Sequence, residues 1–429
     1  VSTPPALYRL LVHGAVPLVP ALLRDPRQQH ADAARRAAPA RLAEWARQDR
    51  DPSRPLVWFH APSVGEGLQA RAVFEALRAR RPDIQLVYTH FSPSAEAFAA
   101  SLTVDFASYL PYDRAADMTT ALNALHPALL VFTKLDLWPE LATQAAARGV
   151  PVAMVAATVT ADSGRLRWPA RFATRTGYAA LTAVAAVSRG DADRLQELGV
   201  APTRIRITGD PRADSVCAVV AEVAPDDPLT MLAMPSDTLV AGSTWPDDEA
   251  VLLEAFATVR AAEPRARLIV VPHEPTPAHL EALHAMARRH DLPAPVLLSQ
   301  LVPGDPPALV VADRVGVLAR LYANGAMAYV GGGFGSAGIH SVLEPAAWGR
   351  PVVIGGRDRG SRDAALLRDA GGLITLPATA AAQRLAARWL EWLRDPERAK
   401  AEGERNRAAL EEERGASDRS AAMLEALLR

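Results

Sequence analysis

The sequence is poor in the residues that most readily name a chemistry. Cys217 is the single cysteine in 429 residues, which excludes an intramolecular disulfide and a thiolate cluster for zinc. Lysine occurs only at Lys134 and Lys400, every other basic residue being arginine. A composition that favours arginine so strongly makes a retained lysine at 134 a candidate for function. The formal net charge is −1, so no basic field argues for nucleic acid as a partner. H-E-x-x-H, paired cysteines and a strand-end D-x-D are absent, so no metal site is expected. The missing G-x-x-x-x-G-K-[ST] loop excludes a P-loop nucleotide hydrolase.

What is present is globular: 49% hydrophobic and 22% charged residues, long enough for two domains of about 150–200 residues each. The N-terminus departs from that pattern. "ALYRLLVHGAVPLVPALL" (residues 6–23) is apolar apart from Arg9 and His13, and residues 1–50 hold eight arginines against four acids. An arginine and two prolines make it a flawed spanning helix. The expectation is a helix lying in an anionic membrane face, with a buried helix or a cleaved signal segment as the alternatives.

From residue 54 strands and helices alternate. "PLVWFHA", "IQLVYTHF", "ALLVFT", "VPVAMVAATV", "AVAAVS" and "RIRITGDP" read as strands with helices between them, and the pattern restarts at "TLVAGST", "ARLIVVPHEP", "ALVVAD", "AMAYVGG" and "PVVIGG". Such alternation predicts parallel sheets covered on both faces. The expected division is 1–50 as a membrane-associating and basic segment, 51–215 as one α/β domain, 216–237 as a linker and 238–429 as a second. Two doubly wound domains facing a cleft would bind ligands beyond the carboxyl ends of their strands.

Polar residues gather at those ends. In "VAGSTWPDDE", Gly242, Ser243 and Thr244 are expected to turn backbone N–H groups toward an anion, or simply to cap a helix that has Asp247 and Asp248 in its first turn. "VPHEP" places His273 where it can donate to a phosphate or carboxylate, or be a solvated turn residue. "YVGGGFGSAGIHSVLEPAAWGRPV" holds Gly332 and Gly333 in a loop suited to positive φ and close backbone approach. His340 and Ser341 follow in the loop. A helix beginning at Glu344–Pro345, rather than one capped by Ser341, would leave the Glu344 oxygens free for a ribose diol. In "HAPSVGEG", Glu66 stands between Gly65 and Gly67 with the chemistry of a general base for an attacking hydroxyl, or of a solvated residue stabilising a helix terminus. In "FTKLDLWPE", Lys134 and Asp136 share a face if the segment is extended; a weak surface ion pair is the alternative.

Taken in order, "SVGEG", "YLPYD", "KLDLWPEL", "RGVPV", "ITGDP", "AGST", "VPHEP", "YVGGGFG" and "GIHSVLEPAAWGRPV" resemble the 3-deoxy-D-manno-oct-2-ulosonic acid (Kdo) transferase family of lipopolysaccharide synthesis, glycosyltransferases of the GT-B fold. The resemblance runs from about residue 6 to residue 415. It implies inverting transfer of Kdo from CMP-Kdo to a lipid A precursor without a cofactor or metal, at the cytoplasmic face of the inner membrane. Glu66 matches the family's catalytic base. Gly242, Ser243 and Thr244 match its donor-phosphate loop, and His273 falls in the motif contacting the donor's charged groups. Gly332, Gly333, His340, Ser341 and Glu344 match the donor-binding block, with Glu344 on the cytidine ribose; Lys134 and Asp136 stand where the acceptor is positioned. The chain departs from the commoner family motifs, with "KLDLWP" for T-E-L-W-P, "PHE" for P-R-H and "GIHS" for G-G-H-N. The competing expectations are a UDP-sugar transferase or 2-epimerase of the same architecture, or a non-catalytic membrane-attached sugar-binding protein. The number of Kdo units, the acceptor lipid and the oligomeric state are not encoded in any motif.

Overall fold

A computed structural model describes residues 3–224, 226–232, 237–302, 307–358 and 360–428. The chain forms two compact units. The first comprises Val1–Ser215 and Arg414–Arg429, the second Val216–Glu413.

The first unit is a seven-stranded sheet of β1 (Leu56–His60), β2 (Gln85–His90), β3 (Phe106–Tyr109), β4 (Leu129–Thr133), β5 (Val152–Ala157), β6 (Ala183–Ala186) and β7 (Ile205–Ile207). Their spatial order is β3-β2-β1-β4-β5-β6-β7, and all pairings are parallel. β1, β2, β4 and β5 are buried along their whole length. That explains why they read as continuous apolar runs rather than alternating ones. The order reverses between β1 and β4, and in open α/β sheets ligands bind beyond the strand ends at such a reversal.

The second unit repeats the plan with β8 (Thr238–Thr244), β9 (Arg267–Pro272), β10 (Val296–Leu297), β11 (Leu309–Val311), β12 (Met327–Val330), β13 (Val352–Gly355) and β14 (Leu373–Leu376). Their order is β10-β11-β9-β8-β12-β13-β14, again parallel. Its reversal lies between β8 and β12.

Three expected boundaries require correction. The 1–50 segment is not a separate appendage. Its helix Pro26–Gln48 places Leu42 and Trp45 in the first core, with Trp45 stacked on Phe106 at 5.3 Å. The supposed linker begins inside a helix, Pro211–Ala221. The second domain ends before the chain does: the helix Ala416–Glu425 buries Ala421, Met423 and Leu424 with Val73 and Leu77 of the first unit. An apolar stripe on that last helix needs a partner, and the helix Val64–Arg80 supplies it.

The apolar N-terminus forms helical pieces Ala6–Ala15, Val16–Leu18 and Val19–Leu22. None of the helices searched is long and apolar enough to cross a membrane. Tyr8 donates to Asp113 at 2.6 Å, and Arg9 makes two 2.8 Å bonds to the buried Glu140. Leu7, Leu10 and Leu11 stay exposed.

Candidate active site

In the first unit, β1 and β4 end beside one another, and the chain leaves each with a polar side chain. Ser63 precedes the helix Val64–Arg80, so Glu66 falls in its first turn. One Glu66 oxygen accepts from the Ser63 hydroxyl and the other lies 3.3 Å from the Lys134 ammonium. Glu66 is 19% exposed and Lys134 47%, so both can meet a ligand. Lys134 sits just past β4 with φ +62°, a left-handed conformation that costs a non-glycine residue about 1 kcal/mol or more. That turn corrects the extended-face expectation: Lys134 and Asp136 do not pair but diverge, one to Glu66 and the other to His60.

His60, at the end of β1, is buried. Its Nδ1 lies 3.0 Å from the Thr89 carbonyl, which can only accept, so Nδ1 carries a proton. Its Nε2 is 2.9 Å from Asp136 Oδ2, and the Trp138 indole N–H reaches both, at 3.1 Å and 2.9 Å. Burial pushes the Asp136 carboxyl up, but its contacts with His60, Trp138 and Arg165 outweigh this and hold it below its ordinary value. Asp136 is therefore a fixed anion that orients its neighbours. His60 and Trp138 are members of the cluster that motif reading passed over.

In the second unit, β8 continues through Thr244, so Gly242, Ser243 and Thr244 are strand residues and not a loop. The register shifts between Gly242 and Thr244, where Ser243 adopts φ +52°. Thr244 is fully buried, and its hydroxyl donates to Glu249 at 2.8 Å. Glu249 is held in turn by His279 Nε2 at 2.8 Å. The Trp245 amide, at the head of the helix Pro246–Ala262, donates to Asp248 at 3.0 Å, as does the Gly332 amide at 2.7 Å. Of the two alternatives for this terminus, capping is seen at Asp248, which takes the Trp245 and Gly332 amides, while Ser243 is the one hydroxyl there not buried.

The glycine loop after β12 is explained by backbone meeting backbone. A Cβ on Gly333 would lie 2.6 Å from Gly355 Cα, and Gly332, at φ +94°, would place one 2.0 Å from the Gly338 oxygen. Close packing of the β12 and β13 tips returns the chain so that the His340 amide bonds the Gly331 oxygen at 3.2 Å. His340 then stacks on His273, ring centroids 4.4 Å apart, and His273 on Trp245 at 4.8 Å. The Trp245 indole donates to His340 Nε2 at 3.1 Å, so the neutral ring keeps its proton on Nδ1. Burial, with His273 adding to it, depresses His340 to about 4.

The short helix here is Leu343–Ala347 with Val342 before it and no side-chain cap. It begins one residue earlier than expected, and Ser341 is exposed. Burial raises Glu344 to about 7, and its carboxyl has no hydrogen-bond partner among the described residues. Arg357, absent from the sequence expectations, approaches the same loop: its amide bonds the Gly333 oxygen at 2.9 Å and its guanidinium the Gly335 oxygen at 3.4 Å. No group of three or more potential metal ligands occurs among the described residues.

Each unit therefore carries its polar cluster at the reversal of its sheet, where open α/β sheets bind their ligands, and two such units make the GT-B type of fold. The fold matches a UDP-GlcNAc 2-epimerase from Neisseria meningitidis at TM-score 0.61 and 10% identity, covering 87% of this chain and 99% of that one. A glycosyltransferase from Rickettsia africae matches at TM-score 0.57 and 11% identity, covering 87% and 98%. Residues 36–215 match the family model described as 3-Deoxy-D-manno-octulosonic-acid transferase (kdotransferase). A 3-deoxy-D-manno-octulosonic acid transferase from Bordetella pertussis is 28% identical over 98% of both chains. The similarity to Kdo transferases, which are glycosyltransferases, therefore runs along nearly the whole chain.

Proposed function

We propose that this chain is a Kdo transferase that uses CMP-Kdo as donor and a hydroxyl of a lipid A precursor as acceptor, with inversion. The observation carrying the proposal is Glu66: a partly exposed carboxylate at the β1/β4 reversal, held by Ser63 and Lys134 rather than buried in a cap. It takes the proton of the acceptor hydroxyl as the oxygen bonds to the anomeric carbon. The bond from that carbon to the phosphate oxygen breaks, and CMP departs with the electron pair. CMP leaves as a phosphate monoester, so the reaction is proposed to need no metal.

On the donor side, Glu344 accepts from the ribose diol. The Nδ1–H of His340, the Ser243 hydroxyl and Arg357 face the donor's anionic groups, with His273 stacked behind. Thr244, through its bond to Glu249, shapes the strand end instead. The N-terminal leucines, left outward because Tyr8 and Arg9 pin the helix, rest on the cytoplasmic face of the inner membrane, where the acceptor resides.

A transfer assay with CMP-Kdo and a tetra-acylated lipid A precursor tests the proposal. Wild type should form the Kdo-bearing product, and Glu66→Gln should lose about 10²–10⁴-fold in kcat. Unchanged turnover in that variant removes the base assignment. Thermal protection by UDP but not CMP would favour a UDP-sugar reaction instead.

A further inference from the structure

The segment after β5 carries two aromatic side chains that the core does not use. Trp168 is 81% exposed and Phe172 55%. They lie at the entrance and in the first turn of the helix Ala170–Ala180. Incomplete packing does not explain them, because the other side of the helix is tightly seated. Tyr178 is fully buried, and a Cβ on Gly177 would fall 2.3 Å from Leu137 and 3.1 Å from Pro139. Arg167, Arg171 and Arg175 interleave with the aromatics and are all exposed. Arg171 and Arg175 have no ion-pair partner among the described residues and Arg167 has only the exposed Asp162 as an acidic neighbour, whereas Arg165, nearer the body, reaches Asp136 at 3.8 Å.

We infer that residues 167–175 form a second membrane-contact element, whose occupant is an anionic phospholipid surface. Indole and phenyl rings favour the headgroup boundary, and arginines beside them pair with lipid phosphates. Exposed arginines around exposed aromatics complement that surface and suit no apolar protein core. The element is also attached to the segment that follows β4. Gly177 packs on Leu137 and Pro139, while Arg9 of the N-terminal helix holds Glu140 of the same helix, Pro139–Ala147. Lys134 and Asp136 lie on that segment, so both apolar elements are anchored around one part of the candidate acceptor site. The inference deepens the acceptor side of the proposed reaction and rests on it for its meaning.

Flotation of the full-length chain with vesicles tests it without donor or acceptor, so the outcome is independent of whether Kdo is transferred. Wild type should bind phosphatidylcholine vesicles containing about a third phosphatidylglycerol, and bind them less as salt rises. Trp168→Ser with Phe172→Ser, and separately Arg167→Gln with Arg171→Gln and Arg175→Gln, should each lower partition about tenfold. Circular dichroism and the thermal midpoint should stay at wild-type values, because all five side chains are exposed. Unchanged partition in either variant overturns the inference, as does absence of wild-type binding. A wild-type dimer that the aromatic variant turns into a monomer also overturns it, since the patch would then be covered by a second copy.

Discussion

At the scale of single residues, the site depends on which proton each group holds. His340 accepts from the Trp245 indole and is depressed to about 4. Trp245→Phe removes a donor that favours the neutral ring and should raise the His340 value, with burial and His273 still holding it below 6.5, read from its ring resonance in an NMR titration. CMP affinity should fall about fivefold, the worth of one hydrogen bond; an unmoved His340 titration would show that the indole does not set the tautomer. Glu344 behaves oppositely. Its folded value of about 7 lies above the ordinary 4.5, so the fold favours its protonated form. Its contribution is full below about 4.5 and is lost as pH rises through about 7. Glu344→Gln stays neutral, so its thermal midpoint relative to wild type should climb across that interval and then level. A difference independent of pH would contradict the burial argument.

At the scale of elements, both units use the same device at the sheet reversal. Trp138–Pro139 and Trp245–Pro246 each begin a helix just past a strand. Each indole N–H lies 3.1 Å from a histidine Nε2, that of His60 in one unit, where it is shared with the Asp136 carboxylate at 2.9 Å, and that of His340 in the other. Proline at the first helical position fixes the backbone, which aims the indole. The repeated "WP" was visible in the sequence, but its histidine partners lie 78 and 95 residues away and no local spacing points to them. The glycine loop is a second such element. Gly333→Ala would force a Cβ against Gly355, and should cost about 2–4 kcal/mol in the second unit's denaturant unfolding. Wild-type stability in that variant would mean that the β12 and β13 tips can part freely.

At the scale of the molecule, the chain closes its first unit with its own end. Deleting residues 414–429 exposes the apolar face of the helix Val64–Arg80, which bears Glu66. Transfer should be lost, while CMP binding by the second unit should persist; limited proteolysis should cleave the first unit preferentially. Intact activity would mean that the last helix is dispensable. Transfer by the whole enzyme is also expected to survive a metal chelator, since the leaving group is a phosphate monoester; loss of activity restored by a divalent cation would refute this.

The sequence by itself determined the parallel α/β character of both units and the positions where strands end. Apolar runs long enough for one buried strand, separated by helical repeats, have few other ways to bury their surface. It also brought Glu66, Lys134, His340 and Glu344 into view, because polar residues at strand ends stand out against such runs. Only the tertiary structure decided which of them are free to act. Thr244 looks like a ligand until Glu249 is found on its hydroxyl, and the glycines look like ligand space until another backbone is found against them. Burial and hydrogen-bond partnership are set by residues distant in the chain, and these decide whether a polar atom is left for a substrate.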